Sequence, residues 1–150
     1  MTNQAIARYL LAALCLLQGL ATVVIDLNRT HATNPAWPGH ARFHLVWQTA
    51  AFAWLAALEV PLVLVAGSLQ EQRFYLAVIL AGIPMLGFFS AFIARSLYRV
   101  TLSDPNGIPP LKIRFRGTIH RIDLNLVAEI AGILTLSAIV ALYRHVGDSH

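Results

Sequence analysis

The chain has 150 residues, of which 57% are hydrophobic and only 12% are charged, and its formal net charge is +4. This composition excludes an ordinary soluble domain, in which about a quarter of the residues are charged. Its mean hydropathy is +0.64, and the length predicts one domain, 1–150. The single cysteine, Cys15, lies in an apolar run, which excludes an intramolecular disulfide, and we interpret it as a small buried hydrophobe.

Four segments are long and apolar enough to cross a bilayer, which takes about 20 residues of helix. They are residues 6–27, 41–67, 74–98 and 124–144. The first has Arg8 as a basic start, as a signal peptide would, but it lacks a small-x-small cleavage site and three spans follow it. We therefore predict an all-α fold, an integral membrane four-helix bundle.

The basic residues predict how the chain is oriented, because Lys and Arg near span ends stay on the cytoplasmic side. Three lie on the side of the termini: Arg8, Arg73 and Arg144. Eight lie on the side of the first and third loops: Arg29, Arg42, Arg95, Arg99, Lys112, Arg114, Arg116 and Arg121. We predict a multi-pass protein of the cell (inner) membrane with both termini extracytoplasmic. This placement explains the net charge without a nucleic-acid partner.

The segment 26–48 is the densest in polar and aromatic side chains, and it contains three of the six histidines. His40 and His44 are four residues apart where the second helix should begin, near Pro38, so both rings lie on one helix face and can share a metal. Four alternating spans put His31 and His120 on the same side of the membrane, and His145 and His150 on the other. We therefore predict a metal site from His31, His40, His44 and His120. The alternative is that these are interfacial residues without a ligand.

Acidic residues at the fourth span supply candidate acid/base groups. Asp123 begins this span, and Glu129 lies about 9 Å deeper in the membrane. An ionised carboxylate at that depth needs a partner. Glu129, Asp123 and His120 are the predicted catalytic residues, and the alternative for Glu129 is an ion pair with Arg95 or Arg99.

Glu59 lies near the opposite end of the second span, so it cannot share a site with His44. We expect its side chain to reach the outer headgroups. Alternatively, Glu59 and Glu129 mark the two ends of a proton path.

The third connection, 99–123, is too long for a simple turn. Pro109 and Pro110 impose extended backbone, and residues 111–116 alternate apolar and basic side chains with period two. This pattern predicts an extended segment on the membrane surface, with its basic side chains toward anionic headgroups. It could also fold over the end of the bundle as a lid.

The string His-Ala-Thr-Asn-Pro-Ala-Trp-Pro-Gly-His-Ala-Arg-Phe-His, residues 31–44, resembles the signature of a family of small, functionally uncharacterised four-span membrane proteins. Gly39, Ala41, Arg42 and His44 are also similar to the Gly-x-Ala-Arg-x-His string of the styrene oxide isomerase family, whose members are four-span, trimeric and bind haem b. That resemblance implies that His44 is an axial haem ligand, with Arg42 in the cofactor site. His40 stands where that family has Trp, and we predict it as a cofactor-binding residue from its position one helical turn before His44. Ala50 stands where that family has its catalytic Asn, so the resemblance does not imply epoxide isomerisation.

These observations favour a membrane enzyme whose histidine-rich cytoplasmic-side pocket binds haem b or a divalent transition metal. Apolar side chains around Pro84 in the third span favour a small lipophilic substrate, which would be isomerised or oxidised. Four spans make a thin bundle, so we expect a homo-oligomer. The alternatives are a cofactor-free acid/base isomerase, a small transporter or proton-conducting protein, and an accessory protein without catalysis.

Overall fold

A computed structural model describes residues 1–104 and 106–145. The described residues form four helices: α1 (Asn3–Asp26), α2 (Gly39–Leu64), α3 (Gln70–Tyr98) and α4 (Leu124–Arg144). Each is long and apolar enough to cross a membrane. The predicted all-α four-helix bundle is therefore confirmed. The fourth predicted span, 124–144, coincides with α4, and the other three differ from their helices by a few residues at the ends, where helix boundaries are least regular.

Local sequence signals explain where three of the helices begin. The Thr2 hydroxyl accepts a hydrogen bond from the Ala5 backbone N–H at the start of α1. The Asp123 carboxylate does the same for Leu126 at the start of α4, with a distance of 3.0 Å. Such caps satisfy backbone donors that the first turn leaves free. Pro38 directly precedes α2, as the sequence predicts.

The buried hydrophobic cluster lies toward the end of the bundle that carries the chain termini. There the rings of Phe74 in α3 and Tyr143 in α4 stack with centroids 3.7 Å apart, and Leu11 and Cys15 of α1 are fully buried. Further along α1, a Cβ on Gly19 would lie 2.7 Å from the Ala56 Cβ of α2. The glycine therefore allows the α1 and α2 backbones to approach closely.

Contacts at both ends of the bundle confirm which segments share a side. The Asn34 side chain in the first loop donates a hydrogen bond to the Asn106 carbonyl in the third connection, at 2.7 Å. At the other end, the Asn3 side chain donates to the His145 carbonyl at 2.9 Å. The predicted position of His150 lies outside the described residues. The compartment that each end faces stays a prediction.

The third connection contains a β-hairpin that the sequence reasoning missed. Strands β1 (Leu111–Phe115) and β2 (Thr118–Ile122) pair antiparallel. Arg116 and Gly117 join them, and both have positive φ, +48° and +81°, as a tight two-residue hairpin turn requires. The period-two pattern at 111–116 correctly indicated extended backbone. The second strand lacks an equally clear alternation, so the pairing was not predicted.

Candidate functional site

His40 and His44 form a contacting pair at the first turns of α2. Their Nε2 atoms are 3.1 Å apart, and their rings meet edge to face with centroids 4.5 Å apart. Both side chains are exposed. The spacing of four residues places the rings one above the other on the helix, as expected.

The distance between the two nitrogens fits a shared metal ion. Imidazole nitrogens bind zinc at about 2.0–2.1 Å. Two nitrogens 3.1 Å apart at that bond length enclose an angle of roughly 100° at the metal, between the octahedral and tetrahedral values. The same separation is that of a hydrogen bond between the two rings, so a metal ion would replace the shared proton. The pair would supply two neighbouring ligands once both nitrogens are deprotonated.

The other two predicted histidine ligands do not join this pair. The His31 ring packs edge-on against Trp37 with centroids 5.2 Å apart, and its Nδ1 lies 2.7 Å from the Thr30 hydroxyl. His120 lies on β2, opposite Ile113 of β1, and is exposed. Across residues 1–104 and 106–145, no three His, Cys, Asp or Glu side chains form a group that could hold a metal. The structure thus brings together two histidines of the predicted four.

The first loop is held in place by hydrogen bonds of its Asn side chains, both within the loop and to the third connection. Asn34 is only 6% exposed. Its oxygen accepts from the Ala36 N–H at 3.0 Å, while its nitrogen donates to the Asn106 carbonyl. The Asn28 oxygen accepts from both the N–H and the hydroxyl of Thr30. These bonds fix the segment that carries His31 and Trp37.

Two buried donors in the same segment have no acceptor. They are the Trp37 ring nitrogen, Nε1, and the Arg42 guanidinium nitrogen Nε, and none of the described residues accepts a hydrogen bond from either. A buried donor without a partner costs about 1–3 kcal/mol. A ligand that carries an oxygen acceptor would remove this cost. The site therefore suits a group with a carboxylate, phosphate or carbonyl oxygen.

Asp26, the last residue of α1, extends this site toward the bundle interior. Its Oδ2 lies 3.5 Å from the hydroxyl of Thr49, a residue of α2 that is 1% exposed. His31 lies close enough for its cationic form to attract the Asp26 carboxylate. Asp26 begins the polar segment 26–48 and is one of the acids beside the spans, but neither it nor Thr49 was among the predicted catalytic, cofactor or metal residues. Both are polar residues of apolar spans, and this pattern was the signal in the sequence that could have identified them.

The predicted catalytic acids lie at α4, beneath the third connection. Asp123 caps α4 and lines a cavity of about 240 Å³ together with Asn125, Pro109 and Pro110. Glu129 is partly buried, six residues and nearly two turns deeper than Asp123. No described contact joins either acid to the histidine pair in a metal-binding group.

The alternative for Glu129 was an ion pair with Arg95 or Arg99. Arg95 donates a hydrogen bond to the Phe92 carbonyl at 2.6 Å, and its guanidinium lies over the Phe92 ring, 4.1 Å from the centroid. These described contacts of Arg95 lie within α3, and neither joins it to Glu129.

Glu59 does not reach the headgroups, so that expectation is wrong. It is 1% exposed, it lies beside the Cys15 thiol, and its Oε1 has no hydrogen-bond partner among the described residues. The reason is the face of α2 on which it lies. Ala56, Glu59 and Val63 all follow the buried side of α2.

Comparisons with protein families, with curated proteins and with solved structures find no match to this chain. The resemblance to the styrene oxide isomerase family therefore stays a prediction. The string that carries this resemblance lies at the start of α2, where the histidine pair is found.

Proposed function

We propose that this chain is an integral membrane enzyme with a transition-metal centre at His40 and His44. The centre is either a divalent metal ion chelated by both rings or a haem b whose iron is held by His44. The observation that carries the proposal is the separation of 3.1 Å between the two Nε2 atoms. This distance suits two neighbouring ligands of one metal ion, whereas the haem version rests on the resemblance at His44 alone.

The surroundings of the pair support a reactive centre that is open to the bilayer. Both histidines are exposed, and so are Phe43, Trp47 and Trp54 on the same side of α2. Catalytic metal sites keep a coordination position free for substrate, whereas structural sites are closed by protein ligands. An aromatic, apolar approach suits a small lipophilic substrate.

Each nearby residue has a role that its contacts allow. A bound metal centre supplies a Lewis acid for a substrate oxygen. The Arg42 side chain lies two residues from His40 and from His44, about 160° around α2 from both. Its unpartnered N–H and that of Trp37 would therefore bind an oxygen on the inward side of the segment rather than at the histidine pair. Thr30 engages Nδ1 of His31, which leaves Nε2 to exchange a proton, and Asp26 lies close enough to stabilise the resulting imidazolium.

The proposal includes the cytoplasmic side of the membrane and a homo-oligomer. The bias of Lys and Arg toward the first and third loops supports the side. The uncovered histidine face of α2 supports the oligomer, because two protein ligands alone leave most positions of a metal unfilled.

The test is a binding titration of purified protein that carries no histidine tag. Zn²⁺, Co²⁺ and haem are each titrated into the wild type and into His40→Ala, His44→Ala and His145→Ala. We expect at least one of the three probes to bind the wild type and the His145→Ala control equally. His44→Ala should weaken binding by about tenfold or more. Removing a residue that only orients a metal ligand already weakens binding about 10- to 100-fold, and removing the ligand itself should cost at least as much. Equal affinity of wild type and His44→Ala for every probe would refute the proposal.

A further inference from the structure

A row of polar side chains follows one face of α1 through the bundle. Its members are Arg8, Cys15, Gln18, Thr22 and Asp26. At 3.6 residues per turn they fall within an arc of roughly 80° around the helix. Cys15 is fully buried and the other four are partly buried. An inward polar row is unusual in a span, because polar groups in a membrane are retained mainly for function.

Contacts along this row connect α1 to the helices around it. The Gln18 side chain donates to the Ala81 carbonyl of α3 at 3.2 Å. Asp26 contacts Thr49 of α2 at one end of the row. At the other end, the Arg8 guanidinium donates to the Val63 carbonyl of α2 at 2.8 Å. The row thus runs from the first-loop end of the bundle to the termini end.

Glu59 of α2 adds a buried carboxyl group beside this row. It is five residues from the end of α2 at Leu64, about 7.5 Å inside the helix end. It lies beside Cys15, it is 1% exposed, and its Oε1 is unpartnered within the described ranges. An ionised carboxylate buried without a partner costs several kcal/mol. The site therefore favours a carboxyl group that carries a proton.

The described side chains shown to lie around Glu59 carry no charge of their own, so the charge that changes at this site is that of the proton on its carboxyl group. Of the titratable side chains in the described part of the chain, Cys15 of α1 adjoins its carboxyl. Tyr143 of α4 lies in the buried cluster that also contains Cys15 and Val63. The residues that α3 contributes to this cluster are Phe74, Ala77 and Ala81, all without charge.

We propose that the polar row is a proton path and that Glu59 is its proton-binding site. A proton enters at Asp26, passes the side chains of Thr22 and Gln18 and the waters that such groups hold, and binds Glu59. It leaves toward Arg8 at the termini end. Only O–H bonds form and break, so the path needs no oxidant or reductant. Leu11 and the stack of Phe74 on Tyr143 form an apolar layer before the exit, which makes the flux slow.

Proton flux in reconstituted vesicles tests this path. Liposomes with an internal pH-sensitive dye and a potassium diffusion potential report acidification for the wild type, Glu59→Gln and Glu71→Gln. Glu71→Gln is the matched control, because Glu71 is an exposed carboxylate in the first turn of α3. We expect Glu59→Gln to fall to the leak of protein-free vesicles, and the wild type and Glu71→Gln to exceed it equally. Wild-type flux at the leak, or equal flux from Glu59→Gln, would overturn the proposal.

A chemical label keeps the test decisive if Glu59→Gln does not fold. Dicyclohexylcarbodiimide is an apolar reagent that modifies protonated carboxyl groups, and mass spectrometry of the treated wild type locates the modified residue. We expect modification of Glu59 at neutral pH, with loss of flux in proportion to its extent. An unmodified Glu59, or full modification with unchanged flux, would contradict its role. Neither outcome depends on the histidine pair.

Discussion

Replacement of Asn34 by alanine should release the first loop from the third connection. The side chain makes two short hydrogen bonds, to the Asn106 carbonyl at 2.7 Å and from the Ala36 N–H at 3.0 Å. A third contact, to the Thr30 carbonyl, is longer at 3.4 Å. Two bonds contribute about 1 kcal/mol each, and water can reach the partners left behind because Ala36 and Asn106 are exposed residues. The expected cost is about 2 kcal/mol.

Hydrogen–deuterium exchange followed by mass spectrometry measures this loss in the loop itself. The Ala32 and Thr33 amides bond to the carbonyls of Asp26 and Asn28, and in Asn34→Ala they should exchange about 30-fold faster or more, since 1.4 kcal/mol corresponds to a factor of ten. Asn34→Asp keeps the oxygen that accepts from the Ala36 N–H but loses the N–H that donates to Asn106. It should therefore break the bond to the third connection and keep the bond within the first loop. Thr33→Ala changes an exposed residue of the same loop and should exchange as the wild type does. Unchanged exchange in Asn34→Ala would refute the reasoning that this residue ties the two segments together.

Three further substitutions test the scaffold around the site. Gly19→Val should lower the free energy of unfolding in detergent by about 1–3 kcal/mol, because its side chain would meet Ala56. The control is Gly82→Ala, which should not destabilise because no atom lies within 4 Å of the added carbon. Equal stability of Gly19→Val and wild type would exclude the close helix contact. Arg8→Ala removes two hydrogen bonds to the Val63 and Leu64 carbonyls, so amides that follow α2 should exchange faster, and an unchanged rate would contradict this capping role. Gly117→Val places a side chain at φ +81°, so trypsin should cleave faster after Arg116 in the opened hairpin turn, and an unaltered cleavage rate would argue against the turn.

The sequence was sufficient for features that depend on local periodicity. Runs of about 20 apolar residues predicted the four helices, and a spacing of four residues predicted that His40 and His44 would meet. The alternation of spans predicted that the first and third loops would share an end of the bundle. Each of these needs only the geometry of a helix and the thickness of a bilayer.

Features that depend on contacts distant in sequence were not predicted. The bond from Asn34 to Asn106 joins residues 72 positions apart, and no local pattern marks either partner. Glu59 is buried because its face of α2 packs on α1, and helix rotation in a membrane is set by such packing rather than by hydropathy. His120 was expected beside the histidine pair, but the hairpin that carries it has its own register. Two residues can therefore lie on the same side of the membrane without belonging to the same site.

The metal and haem content of wild-type protein, purified without a histidine tag directly from the producing cells, tests the proposed centre most directly. The comparison is a variant with His40→Ala and His44→Ala together, measured by elemental analysis and by the visible absorption spectrum. The proposal predicts a metal or haem iron that copurifies with the wild type and is lost from the double variant, while His145→Ala retains it. The same content in wild type and double variant, or none in either, would contradict a metal centre at the start of α2.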